Sequence, residues 1–213
     1  GVAAGTWYDP AHIHPLGHDD VPDYQVDDSG RGTVAALAEE AGVHPVELIV
    51  DRLLASDGRE LFNTWFFNRN VEGLDAYLQL DSVLPGLGDA GAHVGQICDA
   101  DSPTFFLTHW ARERGRFSLP AAIESLTARP AAVLGLRDRG RIEPGWFADL
   151  NVFDYDRLST TYPDYVHDFP GGKGRFIVRS RGYAATLVNG EVVVEDGDHT
   201  GRRPGTVLRD FER

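Results

Sequence analysis

Residues 85–95, Pro-Gly-Leu-Gly-Asp-Ala-Gly-Ala-His-Val-Gly, gather four glycines around one carboxylate, Asp89, and one imidazole, His93. Two chemistries use such a run. Residues 86–91 form a G-x-G-x-x-G, the pattern of a dinucleotide-binding turn. That turn needs a strand leading into its first glycine, a helix starting near its third, and an acidic residue ending a second strand about 20 residues on. Here Pro85 interrupts the lead-in, Gly95 and Pro103 break any long helix after the third glycine, and the helical stretch 109–116 lies where the acidic strand end belongs. The G-K-[ST] ending of a phosphate loop is also missing. The other chemistry belongs to Asp89 itself. An aspartate just past the C-terminal end of a short parallel strand can bind a metal and exchange a proton with a metal-bound water. Gly86, Gly88 and Gly91 would let the backbone bend and approach a ligand closely. The residues alone leave a third reading open, an aspartate capping a turn among glycines.

The elements around this turn can be read from capping and periodicity. Residues 1–32, rich in Pro, Gly, Asp and His, read as a long loop. Thr33 is placed to N-cap a helix over 34–41 that Gly42 ends. Pro45 suits a first helical position, and Val46, Ile49, Val50, Leu53 and Leu54 form an apolar stripe at helical spacing up to Gly58. Residues 61–67, Leu-Phe-Asn-Thr-Trp-Phe-Phe, are strand-like, and 71–80 form a weak helix. Residues 82–84 predict a very short buried strand that becomes a loop at Pro85. Residues 104–116 predict a helix with an aromatic face, and Ser118 caps another over 119–127. This alternation implies a parallel α/β architecture up to about Leu136. Residues 137–213 read instead as turn-punctuated strands with a loop at about 159–174. Asn189-Gly190 predicts a two-residue hairpin turn. No repeats occur.

Composition sets the outer limits. The chain has 213 residues, 42% hydrophobic and 25% charged, an ordinary globular balance. Twenty Lys+Arg against 33 Asp+Glu give a net charge of −13. That charge opposes non-specific binding to nucleic acid or anionic membrane. No apolar run of about 18 residues suggests a transmembrane helix, and the N-terminus lacks the features of a signal peptide. The single cysteine, Cys98, excludes an intrachain disulfide and fits a reducing cytoplasm. A start at Gly1 and the absence of methionine are expected of a chain cut from inside a longer polypeptide.

Three segments carry a family resemblance: 84–95 (LPGLGDAGAHVG), 103–154 (through SLPAAIESLTARPAAVLGLRDRGRIEPG to ADLNVFD) and 186–209 (TLVNGEVVVEDGDHTGRRPGTVLR). They resemble the C-terminal part of N-acyl-D-amino-acid deacylases, the D-aminoacylase-like branch of the amidohydrolases. The resemblance is good from about Arg59 to Arg209. It implies the last βα units of a metal-dependent (β/α)8 barrel over residues 1–136 and a small β-sandwich segment over 137–213. It also implies zinc, one or two ions, with most ligands upstream of this chain. Asp89 aligns with the acid/base after barrel strand eight, which contacts the metal. By the implied mechanism an ionised Asp89 takes a proton from a zinc-bound water that attacks the amide carbonyl. It then delivers the proton to the leaving amine.

In that frame His12-Ile13-His14 is a tempting metal pair, since alternate strand residues point the same way. Amidohydrolases carry such a pair after strand one. Asp89, however, lies only 75 positions beyond His14. A barrel needs about 250 residues, roughly 30 per unit, so His12 and His14 are expected in a surface loop near strands six and seven. His18 is given the same place. His93 can fold over the pocket and donate to a substrate carboxylate or carbonyl, with a structural role as the alternative. Gly91 and Asn63 are assigned to the substrate side, and Trp65 to the same wall or to core packing. His44 opens a helix, His109 is a partly buried helix residue, and Cys98 is a structural thiol. The expected activity is zinc-dependent hydrolysis of a C–N amide bond, with a small acylated amino acid as substrate. The alternatives are a cyclic-amide hydrolase resembling dihydropyrimidinase, or an inactive binding or assembly module. An oligomer or a complementary chain is expected to cover the open barrel edge.

Overall fold

Thr33 starts the first helix as its side chain predicts. Its Oγ1 accepts the Ala36 amide at 3.1 Å, and Gly42 closes helix α1 (Val34–Ala41) in the left-handed region. This is a computed structural model, which describes residues 8–17, 22–24, 29–86, 88, 90–91, 93–95 and 99–209. The chain divides into two units, Gly1–Leu78 and Gln79–Arg213.

In the first unit, α1 buries Val34 and Ala38, four residues apart and so on one face. Pro45 opens α2 (Pro45–Ala55), and the Nδ1 of His44 accepts the Val46 amide at 3.2 Å. No residue of α2 is fully buried, and Val46, Val50 and Leu54 of its apolar stripe are exposed. The strand predicted near Leu61 is β2 (Phe62–Thr64), and the weak helix is α3 (Val71–Leu78). The described residues of the expected N-terminal loop instead include regular structure. A 3₁₀ turn over Pro10–His12 leads into β1 (Ile13–Pro15), which pairs antiparallel with β2. Three residues are too few to show an alternating pattern, so only the partner strand reveals this one. Ile13, Leu16, Val34, Ala38 and Val71 form the buried core.

The second unit begins with a difference. Residues 82–84 form no strand. A strand needs a ladder for its carbonyls, and here Arg129 takes that place: its Nη2 donates to the carbonyls of Asp81 and Val83, the latter at 3.0 Å. The predicted aromatic helix forms as a short α4 (Ser102–Phe105) that continues as a π-helical segment, Phe106–Glu113. The Arg114 amide donates to the His109 carbonyl five residues back, at 2.9 Å. Phe106, Leu107, Trp110 and Ala111 of this segment are buried. Ser118 caps α5 (Leu119–Leu126), and α6 (Ala128–Leu134) comes next.

From Leu150 to His199 the chain is made of short strands, interrupted by one 3₁₀ turn at Pro170–Gly172. Strands β3 (Leu150–Phe153), β8 (Tyr183–Val188), β9 (Glu191–Glu195) and β10 (Asp198–His199) form one antiparallel sheet in the order β10-β9-β8-β3. Asn189 and Gly190 make the β8–β9 turn, both at positive φ, as the pair predicts. The segment expected as a loop at 159–174 contains β4 (Ser159–Thr160), paired with β7 (Ser180–Arg181), and β5 (Asp164–Phe169), paired with β6 (Lys173–Ile177). The Tyr165–Phe176 and Asp168–Arg175 contacts made across this hairpin outweigh its Pro/Gly content. All ladders among the described residues are antiparallel, so the parallel pairing expected from the helix–strand alternation is absent there. A parallel ladder needs a same-direction neighbour, and among the described residues β1 and β2 have only each other.

Candidate active-site turn

The glycine-rich run leads from Pro85 to α4 without regular secondary structure among its described residues. Two features fix its shape. At its start Gly88 lies against Asp99. A Cβ on residue 88 would stand 2.8 Å from Asp99 Oδ2 and 2.9 Å from the Asp99 carbonyl oxygen, closer than real Cβ atoms come. At its end the Val94 carbonyl accepts the Phe176 amide at 2.7 Å. Between them Gly91 has φ +96 and His93 has φ +50. For Gly91 that conformation costs nothing sterically. For histidine it is an uncommon state that neighbouring structure must hold. Gly91 and His93 are both exposed. Asp89 and Cys98 lie outside the described residues, as does His18.

Asn63 belongs to the first unit. It sits on β2 opposite His14, and its Nδ2 donates to the Tyr24 carbonyl at 3.2 Å. His14 is 2% exposed, and its ring lies 5.0 Å from that of Trp65. The surface loop expected for His14 is therefore corrected to a buried strand position; its burial against Trp65 could not be read from a lone H-x-H. His12 ends the 3₁₀ turn instead of sharing the strand. Its Nδ1 meets Asp9 Oδ2 at 2.7 Å, and Arg69 approaches the same carboxylate at 3.5 Å. The hydrogen bond from His12, more than the nearby charges, holds Asp9 below the usual carboxylate range. His109 stacks on Phe105 at 5.0 Å and meets Glu113 through Nδ1 at 3.1 Å. Burial lowers its affinity for a proton, against the partly offsetting Glu113.

No group of three or more His, Cys, Asp or Glu side chains among the described residues could hold a metal ion. His12 is engaged with Asp9, and His14 is buried against Trp65. The described residues therefore do not make a metal site by themselves, and any metal would need donors beyond them.

The pattern of the amidohydrolase family matches residues 11–194. The chain belongs to that family. It is similar to the D-aminoacylase of Alcaligenes xylosoxydans xylosoxydans, 35% identical over 48% of this chain and 19% of that protein. It is also similar to the N-acyl-D-glutamate deacylase of the same organism, 38% identical over 50% of this chain and 20% of that protein. The chain thus spans about a fifth of the length of these relatives. Among solved structures, the N-acyl-D-glutamate deacylase of Bordetella bronchiseptica, complexed with zinc and a phosphonate inhibitor, aligns with 93% of this chain and 38% of its own. Its identity is 25% and its TM-score 0.48. The sequence resemblance to D-aminoacylase-like amidohydrolases is met by the family match and the two Alcaligenes relatives. No helix of the described residues is long and apolar enough to cross a membrane.

Proposed function

We propose that this chain is part of a hydrolase of C–N amide bonds in small molecules, and that its substrates are N-acyl-D-amino acids. The match to the amidohydrolase family over residues 11–194, which takes in the whole glycine-rich turn, carries the reading. The names of the two deacylase relatives support the narrower substrate class. Residues 1–136 are proposed as barrel units and 137–213 as the β-sandwich segment. Zinc is proposed as the cofactor of the whole protein, with Asp89 its contact in this chain and its other donors outside these residues.

The roles proposed for this chain are few. Asp89, ionised at rest, accepts a proton from the attacking water as the water oxygen bonds to the amide carbon. When the C–N bond breaks, Asp89 returns that proton to the departing nitrogen, so the products are a carboxylic acid and an amine. His93 and Gly91 face the substrate, His93 as donor to its carboxylate or carbonyl, and Asn63 is assigned to the substrate side as well.

The test is Asp89→Asn in the full-length protein, against a panel of N-acyl-D-amino acids and cyclic ureides. The side chains are nearly isosteric, so loss of turnover with an unchanged circular dichroism spectrum is expected. Retained turnover would remove Asp89 from the mechanism. Turnover of cyclic ureides alone would move the substrate class to the dihydropyrimidinase-like alternative.

A further inference from the structure

The hairpin β5–β6 is the largest feature the sequence did not predict, and it has no partner strand among the described residues. A two-stranded hairpin is marginal in water unless something holds it. Three contacts stiffen this one. Asp168 takes both Nε and Nη2 of Arg175, each at 2.7 Å. The Arg175 guanidinium lies over the Phe169 ring, 5.3 Å from its centroid. The Tyr165 ring meets Phe176 edge-on at 5.0 Å and crosses Gly174 so closely that a Cβ there would stand 2.5 Å from the ring's Cζ.

Among the described residues, one backbone hydrogen bond joins the strands of this hairpin to a segment outside it. The Phe176 N–H donates to the Val94 carbonyl at 2.7 Å, across 82 positions of sequence. In an antiparallel pair, alternate residues direct their N–H groups away from the partner strand. Phe176 stands opposite Tyr165, and its N–H is spent on Val94 instead of the ladder. Val94 adjoins His93, whose left-handed backbone persists only where its surroundings over-determine it. The Gly88–Asp99 contact fixes the other end of the turn.

We propose that β5–β6 is a positioning element for the candidate active-site turn. Through the Phe176–Val94 bond it holds Val94 in place and sets where His93 stands. Its role in catalysis rests on the substrate-side reading of His93; the tether itself does not. Phe176 is a positioning residue that acts through His93 and touches no substrate.

The test compares two variants. Phe176→Leu removes the ring and keeps the N–H. Phe176→Pro removes the N–H from a strand edge that the β5 ladder does not use. In the wild-type full-length protein the Phe176 amide should exchange with deuterium at least about 100-fold more slowly than in a free peptide. Exchange at the free-peptide rate would overturn the tether without any mutation. Phe176→Pro should speed exchange over residues 90–95 by at least about tenfold relative to Phe176→Leu. It should also raise KM for an N-acyl-D-amino acid by about tenfold while leaving kcat within about twofold. Equal exchange over 90–95 in the two variants would overturn the proposal, as would faster exchange with unchanged KM. If the wild-type protein hydrolyses no acylated amino acid, the functional reading fails alone, and the exchange comparison still decides the tether.

Discussion

Arg112 offers the sharpest test of how the second unit holds together. It projects from the π-helical segment, and its Nη1 donates to the carbonyls of Tyr155 and Leu158, both at 2.8 Å. Its guanidinium carbon lies 5.8 Å from the centroid of the Tyr155 ring, and the Tyr155 hydroxyl donates back to the Leu107 carbonyl at 3.3 Å. Leu158 is 1% exposed. Arg112→Met keeps most of the stem and removes both short bonds, together with a longer one at 3.5 Å to the Asp156 carbonyl. Hydrogen bonds from a charged donor contribute roughly 1.5–3 kcal/mol each, so the pair sets a ceiling of about 6 kcal/mol. The side chain is 28% exposed, so water can reach part of the vacated site. The expected loss is therefore about 3 kcal/mol, at the lower end of that range. Arg112→Lys retains the charge but reaches one carbonyl without the planar fork, and should recover about half. Urea unfolding followed by tryptophan fluorescence measures both. At a slope of about 2 kcal/mol/M, the methionine variant's midpoint should fall by roughly 1.5 M with the slope unchanged. A loss under about 1 kcal/mol would equal that of an ordinary surface substitution and refute the clamp.

Three further outcomes come from the same geometry. Gly182 has φ +92, and a Cβ there would stand 2.8 Å from the Leu158 N and Cα, so Gly182→Ala should cost about 3 kcal/mol or more in urea unfolding. An unchanged midpoint would show that this crossing yields freely. Gly88→Ala forces the turn away from the Asp99 carbonyl and, on the proposed function, should lower kcat/KM of the full-length protein by at least about tenfold. Full activity would show that the turn's entry does not shape the site. Burial lowers the pKa of His109 from the ordinary 6.5, so the unfolded chain binds the proton more readily. Its contribution to stability is complete above pH 6.5 and is lost as pH falls through the lowered folded value. Urea midpoints should therefore fall between about pH 7.5 and 5.5, and His109→Gln should flatten that slope; parallel slopes in the two proteins would refute it.

What the sequence determined by itself is mostly local. Thr33, Ser118 and Gly42 mark helix ends because a hydroxyl or a left-handed glycine acts on amides and carbonyls a few residues away. Asn189-Gly190 fixes its hairpin for the same reason, both residues tolerating positive φ. The family could also be read from contiguous segments, since Gly-Asp-Ala-Gly and its neighbours keep their order along the chain.

Tertiary structure decided whatever depends on a distant partner. His14 reads as a loop residue until β2 and Trp65 bury it. Residues 82–84 have the composition of a strand, but Arg129 takes the Val83 carbonyl, and that of Asp81 just before them. Residues 159–174 have the composition of a loop, but Arg175 and Phe176 pair with groups that one residue's neighbours cannot reveal. The conformation at His93 depends on the bond that the neighbouring Val94 carbonyl accepts from an amide 82 positions further along the chain. Caps and turns have ranges of a few residues and are written where they act. Ladders, ion pairs and the anchoring of an irregular turn are two-body terms, and the second body is known only once the chain has folded.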